Sequence, residues 1–164
     1  MTDRLVAFGN QLVRTHVALR EQLADLRDDL DAWLDGDRLV DLRAHCLAFC
    51  GAITHHHTAE DGRGFPVLAA RHPELAPVIE ELVADHRIIV AGLNRLAEVL
   101  ANPDPATVES EVDTVAALLE THFTYEERKI VAALNALGVS GAQADDLRAA
   151  TTLPGQDTEA SSAN

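Results

Sequence analysis

The sequence predicts an all-α protein, an antiparallel up-down-up-down four-helix bundle with a disordered C-terminal tail. Four segments place apolar residues at recurring spacings of three and four, the connections between them are short, and no segment of useful length alternates with period two. Each apolar stripe is also interrupted by histidine, or by histidine and glutamate.

The first stripe runs through Leu5, Phe8, Leu12, His16, Leu19, Leu23, Leu26, Leu30 and Trp33, and ends near Gly36. The second starts at Val40 or Leu42 and passes through Cys46, Phe49, Ile53, His56 and Glu60. Beyond Glu60, the residues Gly62, Gly64 and Pro66 weaken or end the helix. The third begins after Pro73 and contains Leu75, Ile79, Leu82, His86, Ile89, Leu93, Leu96 and Leu100, stopping at Asn102-Pro103-Asp104-Pro105. The fourth contains Val108, Val112, Val115, Leu119, His122, Glu126, Ile130, Ala133 and Leu137, with Gly138 at its C-terminal end. The expected organisation is one domain over residues 1–139 and a tail over 140–164. The tail is rich in Ala, Ser, Thr, Asp, Gly and Gln and has little apolar surface to offset the entropy of ordering.

A length of 164 residues suits one domain with a real core. The formal charge of −14, with no Lys/Arg cluster to offset it, repels phosphate backbones, so neither nucleic acid nor an anionic membrane surface is an expected partner. No apolar run approaches the roughly 20 residues needed to cross a bilayer. Residues Met1 to Asn10 show no basic region followed by an apolar block, and the expected location is cytoplasmic. Cys46 and Cys50 are four apart on one predicted helix, where a disulfide would be strained, and they read as reduced core residues.

Histidine and glutamate at core positions are what this composition does not otherwise explain. Desolvating a polar group without a partner costs a few kcal/mol and an unpaired charge costs more. A spacing of four puts His56 and Glu60, and likewise His122 and Glu126, on one helix face about 6 Å apart along the axis. With His16 and His86 these give four imidazoles and two carboxylates, a set that suits iron, while zinc and manganese stay possible. A metal-free polar network would leave both glutamates needing partners, and the stripes contain no Lys or Arg. The sequence also repeats. His56-His57-Thr58-Ala59-Glu60-Asp61 aligns with His122-Phe123-Thr124-Tyr125-Glu126-Glu127, and His16 and His86 precede these by 40 and 36 residues. An approximate two-fold relation between helix pairs suits two metals better than one.

His, His-x-x-x-Glu, His, His-x-x-x-Glu over about residues 5–137 resembles the hemerythrin-like family of HHE cation-binding domains, with Phe65-Pro66 and Asp85-His86 as fitting flanks. The resemblance implies two iron ions, oxo- or hydroxo-bridged, held by His16, His56, Glu60, His86, His122 and Glu126 with the two glutamates bridging. It implies a small oxidant as ligand, such as dioxygen, peroxide or nitric oxide, and an unidentified electron donor if there is turnover. The alternative is an iron- or oxygen-sensing regulatory protein without turnover. Oxygen carriers of the family have a fifth histidine four residues from the third helix's first, but Leu82 and Val90 stand on either side of His86 here. An open position on the metals is therefore expected, with an entrance at the Gly62 to Pro66 break. Tyr125, Asp61 and His57 are the side chains placed to fill that position instead. His45 and His72 are not expected to take part.

Overall fold

The computed structural model describes residues 2–37 and 39–133, with side chains from residue 9 onward. Among these residues the structure is all helix: α1 (Thr2–Leu34), α2 (Leu42–Ala59), α3 (Phe65–Arg71), α4 (Ala76–Val99) and α5 (Pro105–Glu126). A π-helical turn over Glu60–Gly64 joins α2 to α3, a 3-10 turn over Pro73–Leu75 leads into α4, and a second π-helical turn over Glu127–Val131 extends α5. The four long helices form a bundle. The expected end of the last helix at Gly138 and the expected tail lie outside the described residues.

The helix ends follow local chemistry. Gly36, at φ 95°, closes α1 in the left-handed conformation that a side chain would strain. Its N–H donates to the Trp33 carbonyl at 3.1 Å, and the Asp37 N–H donates to Ala32 at 2.9 Å, so two carbonyls that the helix leaves open are satisfied. The Asp41 carboxylate caps α2 by accepting from the Ala44 N–H at 3.0 Å. Asp104 caps α5 by accepting from the N–H and hydroxyl of Thr107, with Pro105 in the first turn. After Glu60 the chain does not break as Gly62, Gly64 and Pro66 suggest. It widens into a π turn in which the Phe65 N–H donates back to the Glu60 carbonyl, and then resumes as α3.

Packing divides the interior into two apolar blocks. The larger gathers Leu19, Leu26, Leu30, Phe49, Ile53, Ile89, Leu96, Val115, Leu119 and Phe123, together with the buried thiol Cys46; the smaller holds Leu12, Phe65, Leu68, Ile79, Leu82 and Ile130. The switch from one block to the other falls at the histidines: Leu12 then Leu19 around His16 on α1, Leu82 then Ile89 around His86 on α4, Ile53 on α2 then Phe65 on α3 around His56, and Phe123 on α5 then Ile130 in the second π turn after His122. A polar layer thus lies between two dry ones. Links between α1 and α2 pair His16 with His56 and Asp29 with His45; those between α1 and α5 pair Arg20 with Glu120 and Arg27 with Asp113. No described helix is long and apolar enough to cross a membrane.

Because Leu96 is fully buried, Leu96→Ala should cost about 2–5 kcal/mol of unfolding free energy in urea titration. Loss of the α2 cap in Asp41→Ala should cost about 1 kcal/mol, whereas Leu47→Ala, on an exposed side chain, should change stability by less than about 0.5 kcal/mol.

Candidate metal centre

All six residues singled out by the stripes are brought into the polar layer, and each is at most 2% exposed. They form two groups. His16, His56, Glu60 and Glu126 present one donor atom each within 4.8 Å of one another, and a second group at the same spacing contains His86 and His122 together with His57. His57 is one of the three side chains, with Tyr125 and Asp61, that the sequence offers for the open position expected beside His86. Its ring is 2% exposed and lies flat on the His86 ring, centroids 3.9 Å apart and planes at 10°. The third imidazole of this group thus lies on α2 and not on α4, where Leu82 and Val90 stand. A signal for it was present, since His57 falls four residues after Ile53 and a bundle helix buries a face wide enough for two adjacent positions.

The other two candidates do not reach the middle. Tyr125 donates its hydroxyl to Glu81 at 2.5 Å, and Asp61 sits behind His86, its Oδ1 2.8 Å from Nδ1. His55 is exposed, His45 pairs with Asp29 and His72 with Glu74, all apart from both groups.

Glu60 and Glu126 each stand between the groups. Glu60 turns Oε1 toward His56 Nε2 at 3.3 Å and Oε2 toward His86 Nε2 at 3.6 Å. Glu126 Oε2 is 3.4 Å from His16 Nε2 and 3.6 Å from His122 Nε2. The Nε2 atoms also face each other in pairs, His16 with His56 and His86 with His122, both at 3.1 Å. Lone pairs on two neutral imidazoles in that arrangement repel unless a proton or a cation lies between them.

Electrostatics point the same way. Burial, and then the charge of Glu126, push the Glu60 carboxyl well above the usual carboxylate range. Glu126 is held at about 2 against the upward pull of its burial, by hydrogen bonding and charge from His16 and by the charges of His122 and His56. Burial drives His56 and His57 down, and neighbouring imidazoles add to it; His122 falls to about 4, again through burial first. Both oxygens of Glu60 and Glu126, both ring nitrogens of His57, and Nδ1 of His56 and His122 are buried without a hydrogen-bond partner. Orphaned polar atoms on this scale are rare in a protein interior, and the four carboxylate oxygens together with one nitrogen of each ring are atoms that a cation can use. The donor set therefore fits metal, and its nitrogens and carboxylate oxygens suit iron.

The surroundings hold the rings. Phe123 stacks on His16, centroids 4.2 Å apart, and Phe65 stacks on His86 at 5.6 Å. Gly64 and Phe65 are buried, whereas Gly62, Arg63 and Pro66 of the segment expected to form an entrance are exposed. A cavity of about 410 Å³ opens between α4 and α5, where Ile88, Ile89, Leu118 and Thr121 lead to His122, with Asp85 beside it.

A family model described as Hemerythrin HHE cation binding domain matches residues 8–134. Comparison with curated proteins and with solved structures returned no match.

Phe123 is buried against four histidines of the layer, His16 most closely. Phe123→Ala should therefore cost about 3–5 kcal/mol in urea unfolding of the metal-free chain. A loss below about 1 kcal/mol would show that the ring is not part of a packed layer.

Proposed function

The chain belongs to the hemerythrin HHE cation-binding domain family, and from that premise we propose that it is a non-haem di-iron protein that binds or reduces a small oxidant. The observation that carries the reading is the stance of Glu60 and Glu126, two buried carboxylates with orphaned oxygens, each carboxylate facing histidines of both groups. In this reading His16 and His56 would hold one iron, His57, His86 and His122 would hold the other, and Glu60 and Glu126, which face both groups, would serve both. The bundle is antiparallel, up-down-up-down, a topology supported by partners on α2 and α5 that fall in number as those on α1 rise.

Two bound irons supply a redox-active pair to which dioxygen, peroxide or nitric oxide can coordinate. The chain's residues do the rest. Five histidines and two carboxylates divide unequally, three imidazoles on one side and two on the other, so the side of His16 and His56 keeps more room for a small ligand. This revises the expectation of a missing histidine: the inequality comes from placement and not from number. Leu119, Phe123, Ile53 and Ile89 pack around the layer and keep bulk water from it. The cavity of about 410 Å³ beside His122 offers a small molecule a way toward the layer. Turnover would draw on an external electron donor, and the working location is the cytoplasm.

A second reading, an iron or oxygen sensor, is favoured by the same orphaned carboxylates. With no cation they strain the layer, so metal loss should loosen the bundle and expose it to a partner or a protease.

Protein purified aerobically should contain about two irons per chain, as di-iron carboxylate bundles do, and show ferric charge-transfer absorption in the near ultraviolet. One zinc per chain and no such absorption after growth in iron-rich medium would sink the di-iron reading. Glu60→Ala and Glu126→Ala should each lose metal and lower the Tm of the loaded protein, while His45→Ala and His72→Ala should retain it. Azide should perturb the spectrum of the loaded protein; an unchanged spectrum at saturating azide would favour sensing without ligand exchange.

A further inference from the structure

The two halves of the polar layer are built alike but secured differently. In each, the residue immediately after the bridging glutamate reaches the histidine of the other helix pair from behind: Asp61 accepts from His86 Nδ1 at 2.8 Å, and Glu127 from His16 Nδ1 at 3.0 Å. In each, an aromatic ring lies on that histidine's face: Phe65 on His86 and Phe123 on His16. The halves part at the position one helical turn beyond the histidine, which is Arg20 on α1 and Val90 on α4.

Arg20 touches both groups that hold His16. Its Nη1 donates to Glu127 Oε1 at 2.8 Å, the same oxygen that faces His16 Nδ1, and its guanidinium carbon lies 5.3 Å above the Phe123 ring. The other prongs of the fork, Nε and Nη2, donate to Glu120 at 2.8 and 3.2 Å and fix the plane. The geometry points to Arg20 as a positioning residue for His16. It locks Glu127 and Phe123 so that Nε2 faces the layer interior, and it makes the His16 side the more rigid of two otherwise matching metal positions. Val90 carries no charge and cannot do this for His86, whose partner Asp61 is left 37% exposed at its side chain. The fork matters because one planar group must meet two carboxylates and a ring face at once, which a lysine's point charge meets only in part. Groups of this kind behind a metal-binding imidazole typically change metal affinity by about 10- to 100-fold.

The inference rests on the metal reading above, and Co(II), alone and without oxidant, separates the two. Wild-type protein should take up about two Co(II) per chain, in keeping with paired metal sites of carboxylate bundles. Arg20→Leu should shift the visible Co(II) bands and release one of the two ions to a chelator about 10-fold faster. Arg20→Lys should return the bands and the release rate toward wild type, and Val90→Leu should leave both as they are. Glu127→Gln should reproduce Arg20→Leu, with the double variant no worse than either single one, since both act through one contact. Altered apo stability alone would not move the bands. Wild-type-like bands and release in Arg20→Leu, or fully additive effects of the two substitutions, would overturn the role of Arg20 while leaving the metal reading intact. Failure of the wild type to bind Co(II) would overturn both.

Discussion

Two carboxylates buried in the middle of an apolar bundle are the constraint from which the rest follows. Glu60 and Glu126 cannot both be charged there without compensation: burial first, and then the charge of Glu126, push Glu60 up, while His16, His122 and His56 hold Glu126 down against its burial. The histidines around them relieve this only in part, because burial pushes His56, His57 and His122 toward neutrality, whereas Glu126 and Glu127 raise His16 against its burial. A cation resolves both problems at once. The apolar blocks above and below the layer then have a double use, as they stabilise the bundle and keep the layer dry enough for the carboxylates to need the metal.

The internal repeat gives the layer its form and its inequality. His57 and Phe123 occupy corresponding places, each following a layer histidine on its helix and each lying on the histidine contributed by another helix. One of the pair carries donor nitrogens and the other carries none. That single difference turns a symmetric scaffold into a centre with three imidazoles on one side and two on the other. Arg20 against Val90 repeats the inequality one layer further out.

Much of this was legible in the sequence, for reasons that particular residues make clear. His16 and His86 interrupt runs of leucine and isoleucine at the helical period, and only burial accounts for their place in the stripe. His57 was harder to read, because a one-residue-wide stripe assigns it to the flank of His56, whereas the helix turns a broader face inward. Asp61 and Glu127 were harder still. A residue one past the stripe points inward or outward according to the local winding of the helix, and nothing in Gly62-Arg63-Gly64 or in Arg128-Lys129-Ile130 announces a π turn. Glycines and a proline read as a helix stop were accommodated by widening the helix.

Those π turns carry a consequence for how the chain can vary. The first takes up one residue more than an ordinary helical turn before the chain resumes as α3, so Phe65 bonds back to Glu60 from the place that an ordinary turn gives the fourth residue. Ordinary winding over the same residues would rotate Phe65 by about 100°, off the smaller apolar block and off the His86 ring. A one-residue deletion between Glu60 and Phe65, by contrast, would be absorbed by a return to ordinary winding, with the side chains beyond it left in phase. The turn thus behaves as slack in the helix, a place where the chain can lose a residue without rotating the segment that follows.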